Sequence, residues 1–178
     1  MMNHDRTCCF TGHRPQKLSY GMDEQHDHCI RLKDRLQKEI EAKIENGVDT
    51  FLCGMAWGTD IWCGEIVMGL KARHPHIRLI ACIPHLGQEN TWTDEYKKRY
   101  HKLIDSADDK IIFYDHYVRG CMQKRNQYMV DNSANIIAVF NGSSGGTKST
   151  VEYAVKRRLD IIILDPDKMV RRHISSKK

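Results

Sequence analysis

Short apolar runs alternate with amphipathic helical patterns along nearly the whole chain. Six of these runs are continuous rather than alternating, as expected of parallel strands that are buried on both faces of a sheet. We predict strands at Thr7–Thr11, Thr50–Gly54, Arg78–Ile83, Lys110–Tyr114, Asn135–Phe140 and Asp160–Leu164.

The segments between these strands carry apolar residues at three- and four-residue spacing, which predicts helices. The first shows Cys29, Leu32, Leu36, Ile40 and Ile44, and Asn46-Gly47 ends it. The others are predicted at Thr59–Arg73, from Thr93, at Cys121–Asn132 and at Ser149–Arg158. This alternation predicts one doubly wound α/β domain over residues 1–168, a mostly parallel sheet flanked by helices. Residues 169–178 read as a basic, frayed tail.

Composition narrows the class of protein. The chain has 178 residues, 40% apolar and 29% charged, which is ordinary for a soluble globular protein. No stretch approaches a membrane span, and no signal peptide is visible. The seven cysteines are an odd number and include Cys8, Cys9, Cys53 and Cys82 within strand-like runs. They predict free thiols and a cytoplasmic location, and no metal site is predicted. A net charge of +5 permits an anionic ligand or nucleic acid.

The segment from Asn141 to Glu152 carries the strongest chemical signal. A predicted strand, a glycine-rich turn and a helix follow one another there, and this order makes an anion cradle. The segment therefore predicts a nucleotide or phosphosugar site. Two structural interpretations compete: an ordinary turn, and a capping box in which Ser149 caps the helix and Glu152 reaches back. A Walker A loop is rejected because its second glycine is missing.

Other unusual residues follow the remaining strands, and ligands of open parallel sheets bind at those carboxyl ends. Arg14 is predicted to clamp a phosphate, or to be an ordinary surface arginine. Trp57 is predicted either to stack on a base or to pack within the protein. Asp60 is predicted either to accept a hydrogen bond from a ligand hydroxyl group or to stabilise the start of a helix through the helix dipole. Arg125 and Asn126 are expected either to reach the same edge or to be solvated.

These residues resemble the SLOG superfamily, most closely its YpsA-like branch. The matching pieces are Phe10 to Pro15, Cys53 to Asp60, Arg125-Asn126 and Asn141 to Glu152, and the likeness spans residues 5 to 166. The resemblance implies a bacterial, Rossmann-like protein that binds a nucleotide or nucleotide-derived ligand. Its superfamily includes the DNA-processing protein DprA and the cytokinin-activating LOG phosphoribohydrolases.

The LOG enzymes carry an arginine on one helix and the motif P-G-G-x-G-T-x-x-E. Met122-x-x-Arg125 looks like the first, and Gly145-Gly146-x-Lys148-Ser149-x-x-Glu152 looks like the second. Ser144, Lys148 and Ser149 depart from the motif, which places phosphoribohydrolase activity in doubt while Lys148 adds a cation for phosphate.

The favoured interpretation is a protein that binds or senses a nucleotide, for example one of the ADP-ribose type. No further cofactor is predicted. The alternatives are a LOG-like phosphoribohydrolase that uses Glu152 and Arg125, and a DprA-like binder of single-stranded nucleic acid. No membrane partner is predicted, and self-association stays open. The predicted ligand-binding residues are Thr11, Gly12, His13, Arg14, Gly54, Trp57, Gly58, Asp60, Asn126, Asn141, Gly142, Gly145, Gly146, Thr147 and Lys148.

Overall fold

The computed structural model describes residues 2–175. Its strands are β1 Thr7–Gly12, β2 Thr50–Cys53, β3 Arg78–Ile83, β4 Asp109–Ile112, β5 Asn135–Val139, β6 Asp160–Leu164 and β7 Arg171–Ile174. Its α-helices are α1 Asp27–Glu45, α2 Thr59–Leu70, α3 Asp94–Ser106, α4 Cys121–Asp131 and α5 Gly146–Lys156. Short 3-10 turns cover His4–Arg6 and Pro15–Lys17.

The seven strands form one sheet in the order β4-β3-β2-β1-β5-β6-β7. All neighbouring strands are parallel except β6 and β7. The chain adds β2 on one side of β1 and later places β5 on the other side, so the strand order reverses at β1. The predicted doubly wound, Rossmann-like α/β fold is therefore confirmed, and ligands of such sheets bind outside this reversal point.

Helices cover both faces of the sheet. One core layer includes apolar residues of α1, α2 and α3, and the other includes those of α4 and α5. Successive residues of β1 alternate between the layers, as the two-residue period of a strand requires: Cys8 and Phe10 belong to the first layer and Cys9 to the second. No helix among residues 2–175 is long and apolar enough to cross a membrane.

The glycine-rich turn is shorter than the sequence suggested. Helix α5 begins at Gly146, three residues before the predicted start, and Gly145 is its N-cap. Ser149 is therefore inside the helix, where its Oγ lies 3.3 Å from the carbonyl oxygen of Gly145. The capping-box interpretation of Ser149 and Glu152 is wrong because Gly145, at φ 137°, lets the chain enter the helix earlier.

The C-terminal segment also differs from the expected frayed tail. Residues 171–174 form β7 at the edge of the sheet, antiparallel to β6. Arg171 pairs with Glu39 of α1, and His173 Nε2 lies 2.8 Å from Asp160 Oδ1. Polar contacts thus attach a segment that shows no apolar alternation. Residues 176–178 of the predicted tail lie outside the described part of the chain.

Candidate functional site

A cavity of about 290 Å³ lies at the carboxyl end of β1, where the strand order reverses. We name it the glycine-loop cavity because the start of α5 forms one wall. It brings together nine of the predicted site residues, namely Thr11, Gly12, His13, Arg14, Asp60, Arg125, Asn126, Gly146 and Thr147. Its other lining residues are Phe10, Gln16, Lys17, Ala56 and Met122.

The N-terminus of α5 presents backbone N–H groups at this cavity. The first helical hydrogen bond runs from Ser149 N to Gly145 O, at 3.1 Å. The amides of Gly146, Thr147 and Lys148 precede that bond, so the helix itself does not satisfy them. They carry the partial positive charge of the helix end, which favours an anion.

Two cationic side chains border the same cavity. Arg14 is exposed and forms no side-chain hydrogen bond or ion pair within residues 2–175. Lys17 lies on the 3-10 turn that follows, and its Nζ donates to the carbonyl oxygen of Ser144 in the glycine-rich turn. Sequence reasoning missed Lys17, although it lies only three residues after Arg14. Both cations can therefore face an anion held by α5.

Asp60 is a buried carboxylate in the cavity wall, 6% exposed. Its Oδ2 accepts from the backbone N–H of Ala56 at 3.1 Å. Burial raises the pKa of Asp60, and the nearby positive charge of Arg125 opposes that rise without cancelling it. The structure thus places at the cavity a carboxyl group that keeps its proton to a higher pH than an exposed aspartate does.

Arg125 is buried, not solvated, and is 4% exposed. Its Nη1 donates to the carbonyl oxygens of Gly54 and Cys82, the latter at 3.1 Å, and so joins the ends of β2 and β3. Its Nε donates to Asn126 Oδ1 at 2.7 Å. A Cβ atom on Gly54 would fall on the Arg125 guanidinium and 2.6 Å from Asp60 Oδ2. Gly54 therefore makes room for the protein's own arginine.

Trp57 and Gly58 do not line the glycine-loop cavity. The Trp57 ring packs against Tyr96, with ring centroids 4.8 Å apart, and against Trp92 at 6.1 Å. Gly58 has φ 92° at the N-cap of α2, and a Cβ atom there would lie 2.7 Å from Pro15 Cδ. Trp57 thus packs the β2 loop against α3 and the segment before it, and Gly58 lets the β2 loop approach the β1 loop at Pro15.

His13 and Asn141 connect the β1 loop to the glycine-rich turn. His13 is 2% exposed, and its Nε2 lies 2.7 Å from Asn141 Oδ1. Asn141 Oδ1 also accepts from Ser143 N, and its Nδ2 donates to Asp167 Oδ2 at 2.8 Å. Burial lowers the pKa of His13 below its ordinary value. Gly142, at φ 93°, completes the turn outside the cavity.

Helices α4 and α5 enclose a second, larger cavity of about 550 Å³, which we name the α4–α5 groove. Glu152 borders this groove, while Arg125 borders the glycine-loop cavity, so the two predicted catalytic residues line different cavities. Glu152 is exposed and lies 3.8 Å from Lys148 Nζ. Thr150, which sequence reasoning missed, accepts from Asn126 Nδ2 at 3.0 Å and joins the two helices.

Comparison with known protein families shows which family this chain belongs to. The family model YpsA, described as the YspA SLOG family, matches residues 8–169. The chain belongs to that family. UPF0398 protein BH1768 of Halalkalibacterium halodurans is 30% identical in an alignment 163 residues long that covers 88% of this chain and 86% of that protein. The uncharacterized SPbeta prophage-derived protein YoqJ of Bacillus subtilis is 35% identical in an alignment 146 residues long that covers 73% of this chain and 84% of that protein.

Two solved structures of DNA processing protein A share the fold of this SLOG family member. The Helicobacter pylori protein, described with a single-stranded DNA binding mode, gives a TM-score of 0.61 at 18% identity over 91% of this chain. The Streptococcus pneumoniae protein gives 0.54 at 15% identity, also over 91% of this chain. The match covers 66% of the first protein and 50% of the second. At such identities the likeness concerns the fold alone.

Proposed function

We propose that this protein binds a nucleotide or nucleotide derivative, such as a compound of the ADP-ribose type, in the glycine-loop cavity. One observation supports this proposal most directly: the N-terminus of α5, Arg14, Lys17 and buried Asp60 all border the same cavity. This combination offers cations and free N–H groups to a phosphate, and a carboxylate to a sugar hydroxyl, within one cavity.

The phosphate would lie against the backbone N–H groups of Gly146 and Thr147. Gly146 leaves that approach open, because no heavy atom lies within 4 Å of the position that a Cβ atom would take. Arg14 would add a bidentate hydrogen bond, since its planar guanidinium matches two phosphate oxygens. Lys17 would add a point charge while keeping one of its three N–H donors on Ser144 O.

In a ligand of the ADP-ribose type, a hydroxyl group of the terminal ribose, which lies on the other side of the phosphates from the base, would donate to Asp60. Ionised carboxylates only accept hydrogen bonds, and burial strengthens such a bond because water does not compete. The glycine-loop cavity of about 290 Å³ is at the small end of the range for ligand pockets, which suits a sugar phosphate better than a whole dinucleotide.

The test is a titration of the purified protein with AMP, ADP-ribose, NAD and ribose 5-phosphate by calorimetry, with variants Gly146→Asp and Gly146→Asn. We expect binding to the wild type and at least about a tenfold loss in Gly146→Asp, since that carboxylate repels phosphate. Gly146→Asn has the same size without the charge and should lose less. Absence of binding below about 1 mM for every compound would overturn the proposal.

A second candidate is the binding of single-stranded DNA, a binding mode described for the Helicobacter pylori protein. The observation that favours it here is the exposed cation Arg14 beside the N-terminus of α5. Anisotropy of a labelled oligonucleotide at increasing salt tests it, because each neutralised phosphate releases counterions and steepens the loss of affinity. Affinity that does not change with salt would exclude this candidate.

Hydrolysis of an N-glycosidic bond stays a prediction. Its support is that two carboxyl groups, of Asp60 and Glu152, border the two cavities on either side of Gly146. Release of a free base from any bound nucleotide, followed by chromatography, tests it. Loss of that release in Glu152→Gln, with binding retained, would assign the role of acid or base to Glu152.

A further inference from the structure

The α4–α5 groove has walls of mixed aromatic and amide character. It is lined by residues of α4 and by residues of α5 that lie beside Val151 and Ala154, which pack into the core. The residues that define its chemistry are Tyr117, Met122, Gln123, Gln127, Tyr153 and Lys156. At about 550 Å³ the groove is larger than the glycine-loop cavity and is within the usual range for a ligand pocket.

The groove is continuous with the proposed phosphate site. Three residues, Met122, Asn126 and Gly146, border both cavities. Gly146 has no side chain to separate them, and its N–H is one of the proposed phosphate donors. A molecule with a phosphate at Gly146 can therefore extend into the groove without leaving the surface of α5.

The aromatic rings suit a flat partner. Tyr117 is 65% exposed at the mouth of the groove, and its ring lies 5.5 Å from that of His85. The Tyr153 hydroxyl donates to Asp131 Oδ1 at 2.9 Å, which fixes the ring at the wall. A heterocyclic base stacks favourably on such rings whatever its sequence or substituents.

The amides suit the edge of the same partner. Gln123 and Gln127 are exposed and form no side-chain hydrogen bonds within residues 2–175. Each amide offers both an acceptor and donors, and the ring nitrogens, amino groups and carbonyl groups of a nucleobase are the complementary set. A phosphosugar without a base would leave both the rings and the amides unused.

We propose that the α4–α5 groove binds the heterocyclic base of the ligand whose phosphate lies at the glycine-rich turn. This inference rests on the proposed function and deepens it: the ligand class is base-bearing nucleotides and excludes simple phosphosugars. The same chemistry is present in a free nucleotide and in the end of a single DNA strand, and the experiment separates these two sources.

The test compares AMP with ribose 5-phosphate in the full-length protein by calorimetry, in the wild type and in Tyr153→Ala. We expect AMP to bind more tightly than ribose 5-phosphate. Tyr153→Ala should lower the affinity for AMP at least about fivefold, because one base–aromatic stack is lost. Ribose 5-phosphate should change by less than about twofold. Tyr153→Phe keeps the ring and is the matched control, with AMP affinity retained.

A second variant guards against misfolding, because Tyr153 packs partly against the core. The double change Gln123→Ala and Gln127→Ala removes only exposed side chains, and it too should weaken AMP selectively. In parallel, the affinity of a labelled dA oligonucleotide is measured for the same proteins. If the variants weaken the oligonucleotide while AMP does not bind the wild type, the base in the groove comes from a DNA strand.

Two results overturn the inference in distinguishable ways. If AMP and ribose 5-phosphate bind with equal affinity and the variants have no selective effect, the base does not bind in the groove. The proposed phosphate site is not contradicted by that result. Absence of binding of AMP, ribose 5-phosphate and the oligonucleotide removes the groove assignment, and the proposed function falls with it only if ADP-ribose and NAD also fail to bind.

Discussion

Gly54 and Gly146 are two glycines that the sequence presents in the same way. Each follows a strand of the parallel sheet, and the sequence predicts that each admits a ligand. The structure shows that their surroundings differ. A Cβ atom on Gly54 would fall on the buried Arg125 side chain, whereas a Cβ atom on Gly146 would meet nothing within 4 Å. A glycine after a strand therefore does not by itself show whether protein or open space lies beside it.

The difference extends to the cations on each side. Arg125 is committed to the carbonyl oxygens of Gly54 and Cys82, which are otherwise left at the ends of two strands. Arg14 and Lys17, on the β1 loop, are exposed beside Gly146. The β2 side of the site is thus filled by the protein, and the β5 side remains open to an anion.

The largest expected effect is that of Gly54→Ala on stability. The new methyl group must displace Arg125, which both overpacks the site and strips two buried carbonyl groups of their donor. We expect the free energy of unfolding to fall by about 3 kcal/mol, measured by urea denaturation. The measurement is made without ligand so that binding does not contribute.

A double-mutant cycle sharpens this prediction. If the methyl group acts through Arg125, then Gly54→Ala should cost much less in the background of Arg125→Ala than in the wild type. Additive costs in the two backgrounds would show that Gly54 matters for another reason, and the comparison with Gly146 would lose its basis.

Gly145→Ala should have the next largest effect. Gly145 has φ 137° and ψ −168°, a region of backbone conformation that is essentially restricted to glycine. A side chain would also come within 2.7 Å of Lys17 Nζ. We expect a loss of about 2 kcal/mol in the free energy of unfolding, by the same denaturation experiment. An unchanged midpoint would show that the turn relaxes freely.

The variant Asp60→Asn tests how burial of the Asp60 carboxyl group affects the pH dependence of stability. Burial raises the pKa of folded Asp60, so the unfolded chain releases this proton at lower pH than the folded protein does. This contribution to stability is therefore fully present below the unfolded pKa of about 3.9 and is lost as pH rises through the folded value. Asparagine does not titrate, so the variant should gain stability relative to the wild type between weakly acidic and neutral pH.

Urea denaturation of both proteins at several pH values between about 4 and 7 measures that difference, with the two curves compared at each pH. Asparagine keeps an oxygen that can accept from Ala56 N, so the variant is a matched change of charge. A difference that does not vary with pH would show that the Asp60 carboxylate is stabilised as well as it is in the unfolded chain.

The sheet was predictable because burial on both faces leaves a local trace. Continuous apolar runs such as Ile136 to Val139 mark the central strands without knowledge of their neighbours. Strand β7 leaves no such trace, because an ion pair of Arg171 with Glu39 and a hydrogen bond between His173 and Asp160 hold it to the rest of the protein. Those partners belong to other elements, and only the folded structure brings them together.

The location of the candidate site was predictable, but the roles of its side chains were not. The family motifs and the carboxyl ends of the strands indicated the edge of the sheet at which the glycine-loop cavity lies. The burial of Arg125 depends on the Gly54 carbonyl group, 71 residues away along the chain. The position of Lys17 depends on Ser144, 127 residues away. Contacts at such separations leave no periodicity that a single sequence can reveal.

The smallest expected effect is that of Gly146→Ala, and it is the most direct check on the comparison. Gly146 is the first helical residue of α5, and its Cβ position is open, so alanine should change the free energy of unfolding by less than about 1 kcal/mol, with stabilisation favoured. Denaturation beside Gly54→Ala measures this directly. A loss as large as that of Gly54→Ala would mean that the space at Gly146 is occupied by protein, and the site at β5 would be closed like the one at β2.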